Sequence, residues 1–155
     1  MMQWGAEKNY SVTGIPGPSS AGDGRQVKVL VVDDDESMHE MLNLSLSKAE
    51  YWLAHALDVS EAKAILASHQ PDIIVTDAMM PGTSGYSFIE GLKANPETAQ
   101  IPIILWTVME GMNGEVMDPT GRADFTLSKP FNLGAVEDKL NRAKLMARRH
   151  VDIVL

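Results

Sequence analysis

The sequence predicts an α/β fold in which helices cover both faces of a five-stranded parallel sheet. Two observations predict this fold. Short apolar runs rich in β-branched residues alternate along the chain with amphipathic stretches whose apolar residues recur at helical spacing. The apolar runs are nearly continuous, which is typical of strands buried on both faces. Strands that alternate with helices in this way lie side by side in a parallel sheet.

Two strand–helix units open the predicted domain. Residues 27–32 and 52–57 are the predicted strands. A capping box predicts Ser37 as the N-cap of the first helix, and Asp58 or Ser60 is expected to cap the second. The helices are predicted from their apolar faces, which are Met38, Met41, Leu42, Leu46 and Ala49 in the first and Ala62, Ile65, Leu66 and His69 in the second.

The next two strands end in polar residues. Residues 73–76 form a third predicted strand that ends at Asp77, and residues 101–106 form a fourth that ends at Thr107. Between them, Ser84 is the predicted N-cap of a third helix. The inward face of that helix is predicted to contain Phe88, Ile89 and Leu92.

A fifth strand and a long amphipathic helix complete the predicted domain. Residues 125–127 form the strand, which leads to Lys129 and Pro130. The last helix is predicted from apolar residues at steps of three and four, which are Leu133, Val136, Leu140, Ala143 and Ala147. Residues 109–122 contain Gly111, Gly114, Pro119 and Gly121, so we predict that the fourth helix is short or mobile.

The chain is predicted to have three parts. Its 155 residues suffice for one domain of ordinary size. Residues 1–26, rich in glycine, proline and serine, are expected to be a flexible N-terminal leader. The domain is predicted to occupy residues 27–148, and residues 149–155 form a C-terminal tail. Because no second domain for output is apparent, we expect the protein to act through a separate partner.

Composition limits the classes of function. The net charge of −8 argues against a nucleic-acid-binding surface and against binding to an anionic membrane. The sequence has no cysteine, which excludes disulfides, thiolate metal sites and cysteine nucleophiles. No signal-peptide pattern and no apolar run of membrane-spanning length is present, so we expect a cytoplasmic protein.

Polar residues gather where the predicted strands end. Five strand–helix units suit the flavodoxin-like doubly wound order 2-1-3-4-5, which binds ligands at the carboxyl ends of its strands. There the sequence places aspartates 33–35, Asp77, Thr107 and Lys129. Because clustered carboxylates repel one another, we expect a divalent cation among them, and oxygen ligands favour Mg²⁺. A carboxylate can then attack phosphorus while Lys129 stabilises the phosphoryl oxygens.

Four segments of the chain resemble the response regulator receiver family. They are Val-Leu-Val-Val-Asp-Asp-Asp (29–35), Pro-Asp-Ile-Ile-Val-Thr-Asp-Ala-Met-Met-Pro-Gly-Thr-Ser-Gly (71–85), Ile-Pro-Ile-Ile-Leu-Trp-Thr (101–107) and Ser-Lys-Pro-Phe (128–131). The resemblance covers residues 27–148. It implies a stand-alone, chemotaxis-regulator-like module of a two-component system, phosphorylated by a sensor histidine kinase or a phosphotransfer protein. Such a module is a regulatory phosphoacceptor rather than an enzyme, and it is a monomer or a phosphorylation-dependent dimer.

The resemblance also implies a role for each site residue. Asp77 matches the phosphoacceptor. The implied ligands of Mg²⁺ are Asp33, Asp34, Asp77 and the backbone carbonyl of Met79. Thr107 and Lys129 match the residues that bind the phosphoryl group and respond to it. Structural positions beside the site are matched by Pro81, Gly85 and Pro130.

One position departs from the family pattern. The family often carries an aromatic residue three positions before the lysine, and here that position holds Thr126. Phe125 comes one residue earlier and therefore points to the opposite face of its strand. The usual coupling between the threonine and an aromatic side chain is thus not expected.

Other interpretations of the same residues remain. Aspartates 33–35 could simply cap the first helix. The histidines at 39, 55, 69 and 150 show no metal-ligand spacing, so surface or packing roles are expected for them. A pseudo-receiver would bind partners without phosphorylation. A haloacid-dehalogenase-like phosphatase would use Asp33 and Asp35, but it would leave Asp77 without a role.

Overall fold

A five-stranded parallel sheet forms the centre of the computed structural model, which describes residues 26–108, 118–129 and 131–154. In chain order the elements are β1 (Val27–Val32), α1 (Glu36–Ser45), β2 (Tyr51–Ala56), α2 (Val59–Ser68), β3 (Ile73–Asp77), α3 (Gly85–Ala94), β4 (Ile103–Thr107), β5 (Phe125–Ser128) and α4 (Leu133–Val154). The strand order is β2-β1-β3-β4-β5, so the predicted flavodoxin-like topology is confirmed. The carboxyl ends of β1 and β3 are neighbours at the switch point of this order.

Two apolar clusters cover the two faces of the sheet. One cluster packs α2 and α3 against side chains such as Leu30, and the other packs α1 and α4 against Val29 and Val31. Neighbouring residues of β1 contribute to opposite clusters because successive side chains of a strand point to opposite faces. This burial on both faces explains the nearly continuous apolar runs in the sequence.

The N-caps of the helices agree with the sequence except at α1. Asp58 caps α2 and Ser84 caps α3, as predicted. The cap of α1 is Asp35 rather than Ser37: Asp35 Oδ1 accepts hydrogen bonds from Ser37 N–H (2.9 Å) and Ser37 Oγ (2.6 Å). These bonds hold the pKa of Asp35 below its usual value. A carboxylate at this position also interacts favourably with the helix dipole, which a serine hydroxyl does much less.

Several observed strand boundaries differ from the predicted ones by one or two residues. The second strand ends at Ala56 because Leu57 N–H donates to Glu61 Oε1 (2.8 Å) inside the cap of α2. The fourth strand begins at Ile103, since Ile101 N–H closes a turn onto Thr98 O (3.0 Å) and Pro102 has no N–H.

The ends of the chain and the predicted fourth helix are only partly described. Helix α4 continues to Val154, so it includes most of the residues predicted as a C-terminal tail. The predicted leader, apart from residue 26, and residues 109–117 of the predicted fourth helix lie outside the described residues. None of the helices in the described ranges combines the length and apolar character that a membrane span requires.

Candidate functional site

Asp33 is held at every polar atom at the end of β1. It is fully buried (0% exposed), and its N–H donates to Ala56 O (3.1 Å) while its carbonyl accepts from His39 Nε2 (2.7 Å). Its carboxylate accepts from Asp35 N–H at Oδ1 (2.9 Å) and from Lys129 Nζ at Oδ2 (2.6 Å). A buried charge is tolerated only where such partners compensate the lost hydration. The position of this carboxylate is therefore fixed by the fold.

Asp77 lies beside Asp33, at the end of β3. One carboxylate oxygen, Oδ1, accepts from the N–H groups of Ala78 (2.8 Å) and Met79 (3.4 Å), and the other, Oδ2, lies 3.6 Å from Lys129 Nζ. Burial, which leaves the residue 7% exposed, raises the pKa of Asp77; Lys129 opposes this shift and the charge of Asp33 adds to it. A nearby cation would favour the ionised carboxylate that can act as a nucleophile.

Three carboxylates converge at this edge of the sheet. Asp33, Asp34 and Asp77 each offer one oxygen, and these oxygens lie within 4.8 Å of one another. Asp34 is exposed, whereas the other two are buried. A cluster of hard oxygen donors with one open side fits a small divalent cation that keeps some of its water. The grouping predicted from the strand ends is thus present.

Lys129 joins the two buried carboxylates. It follows β5, and its N–H donates to Thr107 O (2.9 Å), which extends the pairing of β5 with β4. Its ammonium contacts Asp33 and Asp77 and lies 5.5 Å from the centroid of the Trp106 ring. The lysine lies 96 positions after Asp33 and reaches it across the sheet, because β1, β3, β4 and β5 are consecutive strands that all end at the same edge.

The other predicted site residues lie around this centre. Thr107 is buried at the end of β4, in the row of strand ends that contains Asp77. Met79 exposes its side chain next to the acidic cluster, and its N–H contacts Asp77 as described. Pro81 precedes Gly82, whose positive φ of 82° allows the chain to turn between β3 and α3. Pro130 lies outside the described residues.

Gly85 is needed because α3 passes very close to β3. A Cβ added at Gly85 would lie 1.9 Å from the backbone oxygen of Asp77. The N–H of Gly85 donates to Ala78 O (2.9 Å), which ties the start of α3 to the residue after Asp77. The glycine therefore fixes the backbone that carries the Asp77 carboxylate.

A buried pair of histidines, His39 and His55, packs behind the end of β1, where His39 contacts the backbone of Asp33. The Nδ1 atoms of His39 and His55 are 2.7 Å apart, and His55 Nε2 lies 3.1 Å from Asn43 Oδ1. Burial, reinforced by the neighbouring His39, lowers the pKa of His55 to about 3, and burial also lowers that of His39. The expectation of a packing role was right for both residues. The direct contact with Asp33 was missed, because residues on α1 and β2 have no spacing that reveals it.

Comparisons with known proteins identify the family of this chain. The response regulator receiver domain family matches residues 29–141. The response regulator PleD of Caulobacter vibrioides is 37% identical over 123 residues, which cover 77% of this chain and 27% of PleD. The phosphate regulon transcriptional regulatory protein PhoB of Pseudomonas aeruginosa is 32% identical over 121 residues, 78% of this chain and 52% of PhoB. This chain thus spans about half or less of the length of these curated relatives.

Solved structures show the same fold. The chemotaxis response regulator CheY4 of Vibrio cholerae superposes with a TM-score of 0.68 at 28% sequence identity, over 76% of this chain and 98% of CheY4. Sequence, topology and strand-end residues therefore lead to one conclusion: this chain belongs to the family of response regulator receiver domains, the phosphorylation modules of two-component systems.

Proposed function

We propose that Asp77 accepts a phosphoryl group from a sensor histidine kinase or a phosphotransfer protein, with Mg²⁺ as cofactor. The observation that carries this proposal is the convergence of Asp33, Asp34 and Asp77 within 4.8 Å, with Lys129 between the two buried carboxylates. The carboxylates could bind a divalent cation, and that cation and the adjacent ammonium would together neutralise the anionic phosphoryl group, whose transfer depends on positioning and charge neutralisation.

The transfer exchanges one bond to phosphorus for another. A carboxylate oxygen of Asp77 forms a bond to phosphorus while the bond between phosphorus and the donor's imidazole nitrogen breaks. The electron pair of that bond returns to the imidazole, which can then take up a proton. N–H groups of Ala78 and Met79 hold Oδ1, and Lys129 lies on the side of Oδ2. In this step Lys129 would pair with the phosphoryl oxygens, and its position near Oδ2 supports that role.

The fit of the site to Mg²⁺ rests on its donor set. Asp33, Asp34 and Asp77 would hold the ion, and the resemblance adds the backbone carbonyl of Met79. The bound ion would supply positive charge that neutralises the phosphoryl oxygens during transfer. The exposed position of Asp34 leaves the cluster open to water and to the donor.

We further propose that the phosphorylated domain signals through a separate output protein. In this role the domain is a regulatory phosphoacceptor whose chemistry is limited to its own phosphorylation and dephosphorylation. The phosphatase alternative would place the nucleophile at Asp33, and it would leave Asp77, the buried carboxylate on the other side of Lys129, without a role. The pseudo-receiver alternative leaves the complete set of Asp33, Asp77 and Lys129 without a purpose.

The experiment is phosphorylation by acetyl phosphate in the presence of Mg²⁺, followed by intact-mass measurement. The wild-type chain should gain one phosphoryl group, and Asp77→Asn should gain none. Asp72→Asn is the matched control, since Asp72 precedes the same strand and, among the described residues, its carboxylate accepts only from Lys28 N–H (2.9 Å). Equal labelling of wild type and Asp77→Asn would contradict the proposal, and turnover of a simple phosphomonoester would favour the phosphatase.

A further inference from the structure

Trp106 occupies the place on β4 next to Asp77. The two residues are register partners, and Trp106 is 1% exposed. The ammonium of Lys129 lies 5.5 Å from the centroid of the indole ring, within the range in which a cation is attracted to an aromatic face. Lys129 therefore contacts a ring in addition to its two carboxylates.

The contacts that hold the indole are made to the faces of its ring. It stacks on Phe131, with ring centroids 5.2 Å apart and planes inclined by 19°. Its Nε1 is buried and has no hydrogen-bond partner within the described part of the chain. No hydrogen bond from the described residues fixes the orientation of the ring, so its orientation depends on the stack with Phe131 and on the nearby ammonium.

Phe131 connects this stack to the last helix. It lies two residues before α4, and both Phe131 and Leu133 pack against the cluster formed by α1 and α4. Thr126, three residues before Lys129, has no aromatic ring. The aromatic group that contacts the lysine comes instead from the neighbouring strand, through Trp106.

Building on the proposed function, we propose that Trp106 is a positioning residue for Lys129 and that its stack with Phe131 responds to phosphorylation at Asp77. The indole face holds the ammonium close to Asp33 and Asp77 before transfer. A phosphoryl group on Asp77 adds oxygens that pair with the ammonium by charge-assisted hydrogen bonds, which are stronger than its attraction to the ring. The ammonium turns towards these oxygens while it keeps its contact with the indole face, so the ring still contributes to binding, and the adjustment of the stack reaches α4 through Phe131.

The first test uses fluorescence of single-tryptophan chains with beryllofluoride and Mg²⁺ as the phosphoryl mimic. The variant W4F/W52F retains only Trp106, and its emission should change on addition of the mimic. The variant W4F/W106F retains Trp52, which also lies 5.5 Å from a lysine ammonium, that of Lys28, but in the other apolar cluster. Its emission should stay constant. An unchanged Trp106 signal in a chain that binds the mimic by calorimetry overturns the inference.

The second test compares affinities along a series at position 106. Beryllofluoride should bind most tightly to wild type, less tightly to Trp106→Tyr and Trp106→Phe, and about threefold to thirtyfold less tightly to Trp106→Leu, because ring faces attract cations and leucine does not. Affinity for Mg²⁺ alone should remain within about twofold, since the carboxylates are intact. Trp52→Leu removes the matched tryptophan and should lower stability without changing the affinity for beryllofluoride.

The outcomes separate this inference from the proposed function. Equal beryllofluoride affinity across the Trp106 series overturns the positioning role even when Asp77 is phosphorylated normally. If Trp106→Leu does not fold, the tyrosine and phenylalanine variants decide, because both retain a ring. Absence of any binding by the wild-type chain overturns the proposed function and this inference together.

Discussion

At the scale of single residues, Gly85 and His55 show how the site depends on positions without chemistry of their own. Gly85 allows α3 to pass against the backbone oxygen of Asp77, and His55 supports His39, which donates to the carbonyl of Asp33. Neither residue touches the group proposed to react. Both fix the backbone that carries the carboxylates of Asp77 and Asp33, so substitutions there should affect stability and the geometry of the site together.

Gly85→Ala should lower the free energy of unfolding by at least about 2 kcal/mol, since the new Cβ cannot avoid the main chain of Asp77. Gly91→Ala in the same helix is the control: nothing lies within 4 Å of its added Cβ, and the change should stabilise by about 0.5–1 kcal/mol. Urea unfolding measures both. Equal effects of the two substitutions would show that the close approach at Gly85 is not limiting.

The buried histidines predict a loss of stability in mild acid. His55 has a folded-state pKa of about 3, below its ordinary value of 6.5, so the unfolded chain binds more protons between these pH values. Stability should therefore fall as pH decreases from 6.5 towards 3, by about 1.4 kcal/mol per pH unit for this residue.

The double substitution H39L/H55L should flatten this pH dependence in urea unfolding between pH 5 and 7. His69→Gln, which changes a partly exposed histidine outside the pair, should retain it. A wild-type slope no steeper than that of H39L/H55L would contradict the assignment.

At the scale of elements, the loop from β1 to α1 serves two purposes. Asp33 and Asp34 face the proposed metal site, whereas Asp35 turns to the start of α1 and caps it. The capping interpretation is therefore confirmed for Asp35, whereas the site interpretation of Asp33 and Asp34 stays a prediction. Helix α1 begins where the acidic cluster ends, and this fixes the direction in which Asp33 and Asp34 project.

Asp35→Ala should cost about 1 kcal/mol of unfolding free energy, because it removes the acceptor at the N-terminus of α1. Ser37→Ala should cost less, since Ser37 contributes only an exposed hydroxyl donor to the same carboxylate. Denaturant unfolding of the two variants checks the order. A larger cost for Ser37→Ala would restore the capping box predicted from the sequence.

At the scale of the whole molecule, negative charge is concentrated where the sheet brings strand ends together. The chain carries a net charge of −8, and oxygens from three of its carboxylates lie within 4.8 Å of one another at the switch point. Only one ammonium, that of Lys129, contacts the buried pair among the ion pairs of the described residues. The folded domain should therefore gain stability when a divalent cation binds.

Mg²⁺ should raise the melting temperature, because an ion that binds only the folded state adds about 2.7 kcal/mol at one hundred times its Kd. Asp34→Asn should abolish most of this gain by removing one donor. Glu36→Gln removes the same charge from an exposed residue outside the cluster and should retain the gain. Equal responses of both variants in thermal unfolding would indicate nonspecific screening instead of a site.

The sequence by itself determined the fold class with its strand order, the family and the residues at the strand ends. Apolar runs predict buried strands. An aspartate that follows such a run lies at the carboxyl edge of the sheet, because parallel strands all end at one edge. Contacts that depend on distances between elements far apart in sequence were decided only by the tertiary structure. These are the cap at Asp35, the support of Asp33 by His39 and His55, and the ring of Trp106 beside Lys129. Periodicity shows which face a side chain takes, whereas packing decides which atoms it meets there.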